Sequence, residues 1–191
     1  MFLRSLIDNP LRVGAVVPSS GALARLMASL VSLRFGEAIL ELGAGTGSVT
    51  TALLEIGVPR DRLIVIELDA RLHRYLQNRF PGVTVLRGDA TAVRELLPPQ
   101  WIGRISTVVS SLPLRPMKFA TQRAIVDAVF GAMTPGGAML QYTYPPGKPL
   151  PADRLGLDVT CAGRIWWNLP PASVWRITRR QMRSRAAEMT A

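Results

Sequence analysis

The stretch Ala38-Ile39-Leu40-Glu41-Leu42-Gly43-Ala44-Gly45-Thr46-Gly47-Ser48 joins an apolar run, an acid and three glycines at alternate positions. The apolar run predicts a strand over 37–42, and renewed helical periodicity predicts a helix over 46–56. A chain that turns sharply from strand to helix beneath a nucleotide-like ligand needs glycine at the turn. Glycine adopts φ > 0 without a Cβ penalty and lets backbone amides approach the ligand. The spacing separates this loop from the dinucleotide fingerprint G-x-G-x-x-G: here it is G-x-G-x-G, with Ser48 where that fingerprint wants Gly or Ala.

With Glu41 two residues before the first glycine, the loop resembles the S-adenosylmethionine (SAM) loop of class I methyltransferases. The resemblance implies SAM as cofactor, S-adenosylhomocysteine as product, and cofactor contacts from Glu41, Gly43, Ala44, Gly45 and Gly47. Two further signals follow in order. Leu63-Ile64-Val65-Ile66-Glu67-Leu68-Asp69 is a β-branched run ending in acids, with Glu67 twenty residues after Gly47. An acid at the end of the second strand of such a unit accepts hydrogen bonds from ribose hydroxyls, which assigns Glu67, with Leu68 beside it. Val83-Thr84-Val85-Leu86-Arg87-Gly88-Asp89-Ala90 closes a third strand. In class I methyltransferases a Gly-Asp-Ala there places the Asp near the adenine amino group, which implies Asp89 and Ala90. Taken singly, Glu67 or Asp69 reads as a helix-terminal acid and Asp89 as an N-cap. Three in order, each closing a predicted strand, favour the cofactor.

Composition sets the frame. The chain has 191 residues, 48% of them apolar, enough for one domain with ample core. No window approaches the roughly eighteen uninterrupted apolar residues of a membrane-spanning helix. Asp8, Asn9 and Pro10 interrupt the N-terminal apolar run too early for a signal-peptide core. The single Cys161 excludes an internal disulfide and leaves too few thiolates for zinc, so no metal is expected. A cytoplasmic protein is the expectation. The formal net charge of +10 points to anionic partners, nucleic acid or an acidic membrane face. Part of that excess reflects an Arg-rich composition in which Lys118 and Lys148 are the only lysines.

Along the chain, Phe2, Leu3, Leu6 and Ile7 share one face of a short N-terminal helix that Pro10 ends. Ser19 or Ser20 caps a second helix over 21–33, with Leu23, Leu26, Met27, Leu30 and Val31 as its stripe. Strand and helix then alternate: strands at 37–42, 63–67, 83–86, 105–110 and 138–144, and helices at 46–56, 70–79, 91–97 and 119–132. Thr134-Pro135-Gly136-Gly137 reads as a tight turn, and two late strands fall near 157–167 and 173–180. The alternation predicts an α/β, Rossmann-like fold: a seven-stranded, mostly parallel sheet with an antiparallel last strand. The whole of 1–191 reads as one domain, with N-terminal docking or lid helices over 1–35 and a catalytic core over 36–191.

Strand 4 ends in Ser110-Ser111-Leu112-Pro113-Leu114. Methyltransferases acting on adenine amino groups carry an Asn or Asp here and an aromatic residue that stacks on the base. This chain has Ser110 and Leu114 at those places, which argues against rRNA adenine methylation. Tyr142 and Tyr144 share one face at the end of strand 5, and Trp166, Trp167 and Trp175 lie in the late hairpin. Two tyrosines at the ligand end could hold an alkylammonium through cation–π contact; plain core packing is the other reading.

The N-terminal Phe2-Leu3-Arg4, the segment from Asn9-Pro10-Leu11 to Pro18-Ser19-Ser20, the loop Ser110–Leu114, Gln141-Tyr142-Thr143-Tyr144 and Asn168-Leu169-Pro170-Pro171-Ala172 together resemble bacterial phospholipid N-methyltransferases, which convert phosphatidylethanolamine to phosphatidylcholine. Ornithine-lipid N-methyltransferases are similar. The likeness implies a lipid amine as substrate, and attachment to the inner face of the cytoplasmic membrane through the N-terminal helix and basic residues. It also implies Ser19, Ser20 and Ser110 as further cofactor contacts. Arg4, Arg12 and a late cluster from Arg176 to Arg185 could meet anionic lipid. No nucleic-acid partner is expected.

Methyl transfer is an in-line displacement in which alignment supplies most of the gain. Tyr142 is the candidate for orienting the amine or relaying its proton, and Ser110 and the backbone of Leu112 for accepting a hydrogen bond from it. His73, the only histidine, falls on the helix after strand 2, away from the acceptor loop, and reads as a surface residue. Two alternatives remain open: an rRNA adenine methyltransferase, and a membrane-surface protein that keeps the fold without turnover.

Overall fold

The computed structural model describes residues 21–144, 147–166 and 170–180. The expected N-terminal amphipathic helix, Ser19, Ser20, Asn168 and Leu169 of the Asn-Leu-Pro-Pro turn, and the end of the arginine cluster lie outside them.

Seven strands form one sheet in the order β3-β2-β1-β4-β5-β7-β6. They are β1 (Ala38–Leu42), β2 (Leu63–Glu67), β3 (Thr84–Arg87), β4 (Ile105–Ser110), β5 (Met133–Thr143), β6 (Leu157–Ile165) and β7 (Ala172–Arg179). The first five run parallel, and β7 lies antiparallel between β5 and β6. Helices α1 (Gly21–Ser29), α2 (Ser48–Glu55), α3 (Ala70–Arg79), α4 (Val93–Leu96), α5 (Phe119–Ala132) and α6 (Ala152–Leu155) complete the layers. β1, β2 and β4 are buried along their whole length, as strands covered on both faces must be. One core packs α4 and α5 against one face; the other packs α1 and α2 against the opposite face.

The chain winds outward from β1 through β2 to β3, then returns to β4 on the other side of β1. That reversal between β1 and β4 is the topological switch point, where parallel sheets open a crevice at the carboxyl ends of the strands. The glycine loop and the Ser110–Leu114 loop are therefore neighbours. Backbone pairing continues past the strands: Ser111 N donates to Leu42 O at 2.9 Å and Gly43 N to Ile66 O at 2.9 Å.

Two elements differ from the sequence reading. α1 stops at Ser29 rather than running to residue 33. Thr107 Oγ1 accepts from Ser32 N at 3.2 Å and donates to Ser32 O at 3.0 Å, so β4 holds this backbone out of the helix. β5 begins at Met133, with 134–137 bulged out between the pairs Ile105↔Met133 and Thr107↔Ala138. Gly136, at φ 79°, supplies the left-handed backbone that this bulge requires.

Candidate active site

The three glycines of the loop all have positive φ: 69° at Gly43, 58° at Gly45 and 82° at Gly47. Their surroundings differ. A Cβ on Gly47 would lie 2.4 Å from Phe80 Cε2, so this glycine lets the start of α2 pack against the end of α3. A Cβ on Gly43 would lie 2.8 Å from Leu112 Cδ2, so this one lets the acceptor loop close onto the cofactor loop. Around Gly45 nothing comes within 4 Å of that position. Gly45 alone of the three faces open space, as a loop that cradles a ligand must.

The acids divide in the same way. Glu67, 7% exposed, accepts from Gly45 N at 3.0 Å through Oε2 and from Asp69 N at 3.0 Å through Oε1. Each carboxylate oxygen keeps a further lone pair for a hydroxyl donor. The side chain thus ties the glycine loop to the end of β2. Asp69 is the N-cap of α3, accepting from Arg71 N at 2.8 Å and Leu72 N at 3.0 Å. Those amides, Leu72 first, hold its carboxyl below the ordinary aspartate range. Asp89 caps the turn over Ala90–Ala92, its Oδ1 accepting from Thr91 N and Thr91 Oγ1, both at 2.8 Å. Its Oδ2 makes no hydrogen bond among the described residues. Leu68 stands 47% exposed at the end of β2, while Ala44 and Ala90 are buried.

Glu41 is fully buried on the α1–α2 side. Thr50 Oγ1 donates to its Oε2 at 2.7 Å, and Oε1 has no partner among the described residues. Burial pushes its carboxyl up from 4.5 to about 7, with Glu67 adding a small like-charge push and the Thr50 hydrogen bonds opposing. A buried acceptor without a donor is costly, so this atom is one that a bound donor would satisfy.

On the acceptor side Ser110 is fully buried, and its Oγ accepts from Leu112 N at 3.3 Å. The carbonyl oxygen of Leu112, read as a hydrogen-bond acceptor for the amine, already accepts from Leu114 N at 2.9 Å and Gln141 Nε2 at 3.0 Å. Both its lone pairs serve the loop itself. Leu114 is 2% exposed, and its carbonyl accepts from Gln122 Nε2 at 2.9 Å. Two buried glutamines, one on α5 and one on β5, therefore clamp this loop by its backbone.

Gln141 went unremarked in the sequence as a site residue, although a lone amide in the apolar run of β5 marks it. It is 2% exposed and pairs in register with Ser110. Its Nε2 also donates to Tyr142 O at 2.9 Å, and its Oε1 has no partner among the described residues. With two carbonyl acceptors on one side, the amide can point its nitrogen only that way.

Tyr142 is not beside Ser110. Alternation along β5 puts Gln141 and Ser110 on one face and Tyr142, Tyr144 and Leu140 on the other, where they pack with the α1–α2 core. The two tyrosine rings meet edge to face, 5.7 Å apart and 74° from parallel, forming a half-buried corner. Trp175 Nε1 donates to Thr143 Oγ1 at 2.8 Å, which fixes that indole on the opposite face. His73 is half-buried rather than a surface residue, with Nε2 3.3 Å from Val85 O. No group of three or more potential metal ligands occurs among the described residues.

The fold recurs in solved structures. The glycopeptide N-methyltransferase MtfA, crystallised with SAM, superposes with a TM-score of 0.63 at 17% identity, covering 84% of this chain and 87% of that one. This is a class I SAM-dependent methyltransferase fold. No family model matches the chain. An ornithine lipid N-methyltransferase of Singulisphaera acidiphila is 29% identical over 178 residues, 92% of this chain and 93% of its own length. A ribosomal RNA small subunit methyltransferase A of Geobacter sulfurreducens is 37% identical over 94 residues, only 46% of this chain and 32% of its own length.

Proposed function

We propose that this chain transfers methyl groups from SAM to the amine of a membrane aminolipid. The observation that carries the reading is the reach of the two likenesses. The lipid enzyme matches over 92% of the chain and 93% of its own length, whereas the rRNA small subunit enzymes match at most 60% of the chain and 49% of their own length. The acceptor loop agrees: Ser110 and Leu114 are buried, and no aromatic side chain stands in that loop to stack on a base. Phosphatidylethanolamine is the headgroup that the resemblance in sequence favours, and ornithine lipid the one that the full-length relative favours.

In this reading SAM supplies an electrophilic methyl group. Gly45 and its neighbours give the cofactor backbone approach, Glu67 and Asp89 offer carboxylate oxygens to its ribose and adenine, and Glu41 offers its spare oxygen to a donor. Ser110 and Tyr142 lie at adjacent strand ends on opposite faces of the sheet, so they serve the amine from different sides or not together. With the Leu112 carbonyl engaged, the hydroxyls of Ser110 and Ser111 are the loop's side-chain hydrogen-bonding groups. The Tyr142–Tyr144 corner offers ring faces to an ammonium, whose attraction to a ring is about 0.5–2 kcal/mol. The membrane partner in this reading is an anionic bilayer, met by the N-terminal helix and basic residues at the inner face of the cytoplasmic membrane. No helix among the described residues is long and apolar enough to cross a membrane.

The test is incubation with labelled SAM and three acceptors: vesicles containing phosphatidylethanolamine, vesicles containing ornithine lipid, and small-subunit rRNA. Label in either lipid supports the proposal and names the headgroup; label in RNA alone overturns it. Tyr142→Phe assigns the tyrosine's part. Retained turnover means that the ring matters, and lost turnover with unchanged S-adenosylhomocysteine affinity means that the hydroxyl does.

A further inference from the structure

β6 runs antiparallel to β7, and β7 antiparallel to β5. β6 therefore points the same way as β1, β4 and β5, and the residue after it stands at the ligand end of the sheet. That residue is Trp166, 67% exposed, with the Arg164 guanidinium 5.8 Å from the centre of its ring. Across the crevice, at the end of β2, Leu68 is also exposed. The sheet order puts β1, β4, β5 and β7 between them, so the two apolar side chains flank the crevice. The same end carries exposed Arg71, Arg87, Arg115 and Lys148, none of them in an ion pair among the described residues. The acids at that end are Glu67, Asp69 and Asp89; each accepts backbone amides, and Arg71 and Arg87 lie close enough to Asp69 to favour its charged form.

An exposed indole beside a guanidinium, at an end where exposed cations outnumber the acids, matches the chemistry of a bilayer surface. Trp is amphipathic and settles at the headgroup level, and cations meet anionic headgroups there. We propose that the ligand end of the sheet seats on an anionic bilayer through Trp166 and Arg164, with Leu68 touching down on the far side of the crevice. This contact is separate from the N-terminal helix, and it rests on the aminolipid reading for its purpose. It presents the mouth of the crevice to the headgroups.

The opposite end supplies the control. Phe35, 95% exposed with the Arg62 guanidinium 5.4 Å from its ring centre, carries the same apolar-plus-cation signature at the base of the sheet. In co-sedimentation of the full chain with phosphatidylethanolamine–phosphatidylglycerol vesicles, Trp166→Ala should weaken binding roughly fivefold or more, and Phe35→Ala should not. With brominated acyl chains in those vesicles, tryptophan emission of the wild type should be quenched, and Trp166→Phe should remove most of the quenchable part. Unchanged vesicle binding by Trp166→Ala, or loss on Phe35→Ala instead, overturns the proposal. Absence of quenching in the wild type also overturns it and shows the indole to be covered by the chain itself. Turnover on a detergent-dispersed aminolipid should survive Trp166→Ala. If the wild type methylates neither dispersed nor bilayer lipid, the functional reading fails, while the vesicle and quenching results still decide the docking surface.

Discussion

The buried carboxyl of Glu41 makes stability depend on pH in a direction that can be worked out. In the folded chain its pKa is raised from 4.5 to about 7, because burial disfavours the charged form more than the Thr50 hydroxyl favours it. Between those two values the native state binds more protons than the unfolded state, so stability falls as pH rises. The contribution is fully present below pH 4.5 and gone above about 7. At ~1.4 kcal/mol per unit, that interval corresponds to on the order of 3 kcal/mol. Glu41→Gln keeps the shape and an acceptor for Thr50 and removes the titration. Urea unfolding of both proteins at about pH 5, 6, 7 and 8 is the assay, read as the difference between wild type and variant so that other titrating groups cancel. The wild type should lose stability relative to the variant as pH rises to neutrality, with the difference flat beyond. Parallel pH curves for the two proteins would refute the assignment of a protonated, desolvated acid. Under the proposed function the same group links to the cofactor. A positively charged ligand group beside Oε1 would favour the carboxylate, so binding near pH 6–7 should release a proton from the wild type and not from the variant. Calorimetry in two buffers of different ionisation enthalpy measures that release.

Gly45 and Gly47 should respond oppositely to the same change. Gly47→Val, forced against Phe80, should lower the melting temperature sharply, whereas Gly45→Val should mainly abolish S-adenosylhomocysteine binding, its folding cost limited to about 1–2 kcal/mol of left-handed strain. Paired melting and calorimetry on both variants checks this. Gln141→Glu puts a carboxylate oxygen against the carbonyls of Leu112 and Tyr142 unless it carries a proton. Turnover of that variant should therefore fall with rising pH where wild-type turnover does not, with cofactor affinity little changed, and an unaltered pH profile would remove the clamp role.

Much of the fold was legible because its signals are local. The spans 63–67, 70–79, 105–110 and 119–132 fall where hydrophobic period and caps place them. α1 was misjudged because the contact that ends it comes from Thr107, 75 residues away, and no local pattern in 21–33 reports it. The early start of β5 was hidden because Pro135-Gly136-Gly137 reads as a turn, whereas the structure uses those residues as a bulge inside a strand. In the site, the glycine spacing marked the loop but not the division of labour within it. Phe80 and Leu112, which separate Gly47 and Gly43 from Gly45, come from other elements. The part played by Gln141 was hidden for a similar reason: a lone amide in an apolar strand can be noticed, but its meaning comes from the carbonyls across from it.

The touch between Gly43 and Leu112 bears on how this protein could change over generations. A substitution that enlarges residue 112 presses first on the glycine loop. One that adds a side chain at 43 presses back on the acceptor loop. The two positions cannot drift independently, so altered substrate preference is easier to reach through Leu114, the tyrosine corner or the rim. Among relatives with this loop geometry, residues 43 and 112 should covary in volume, and a bulky residue at 112 should occur only opposite glycine.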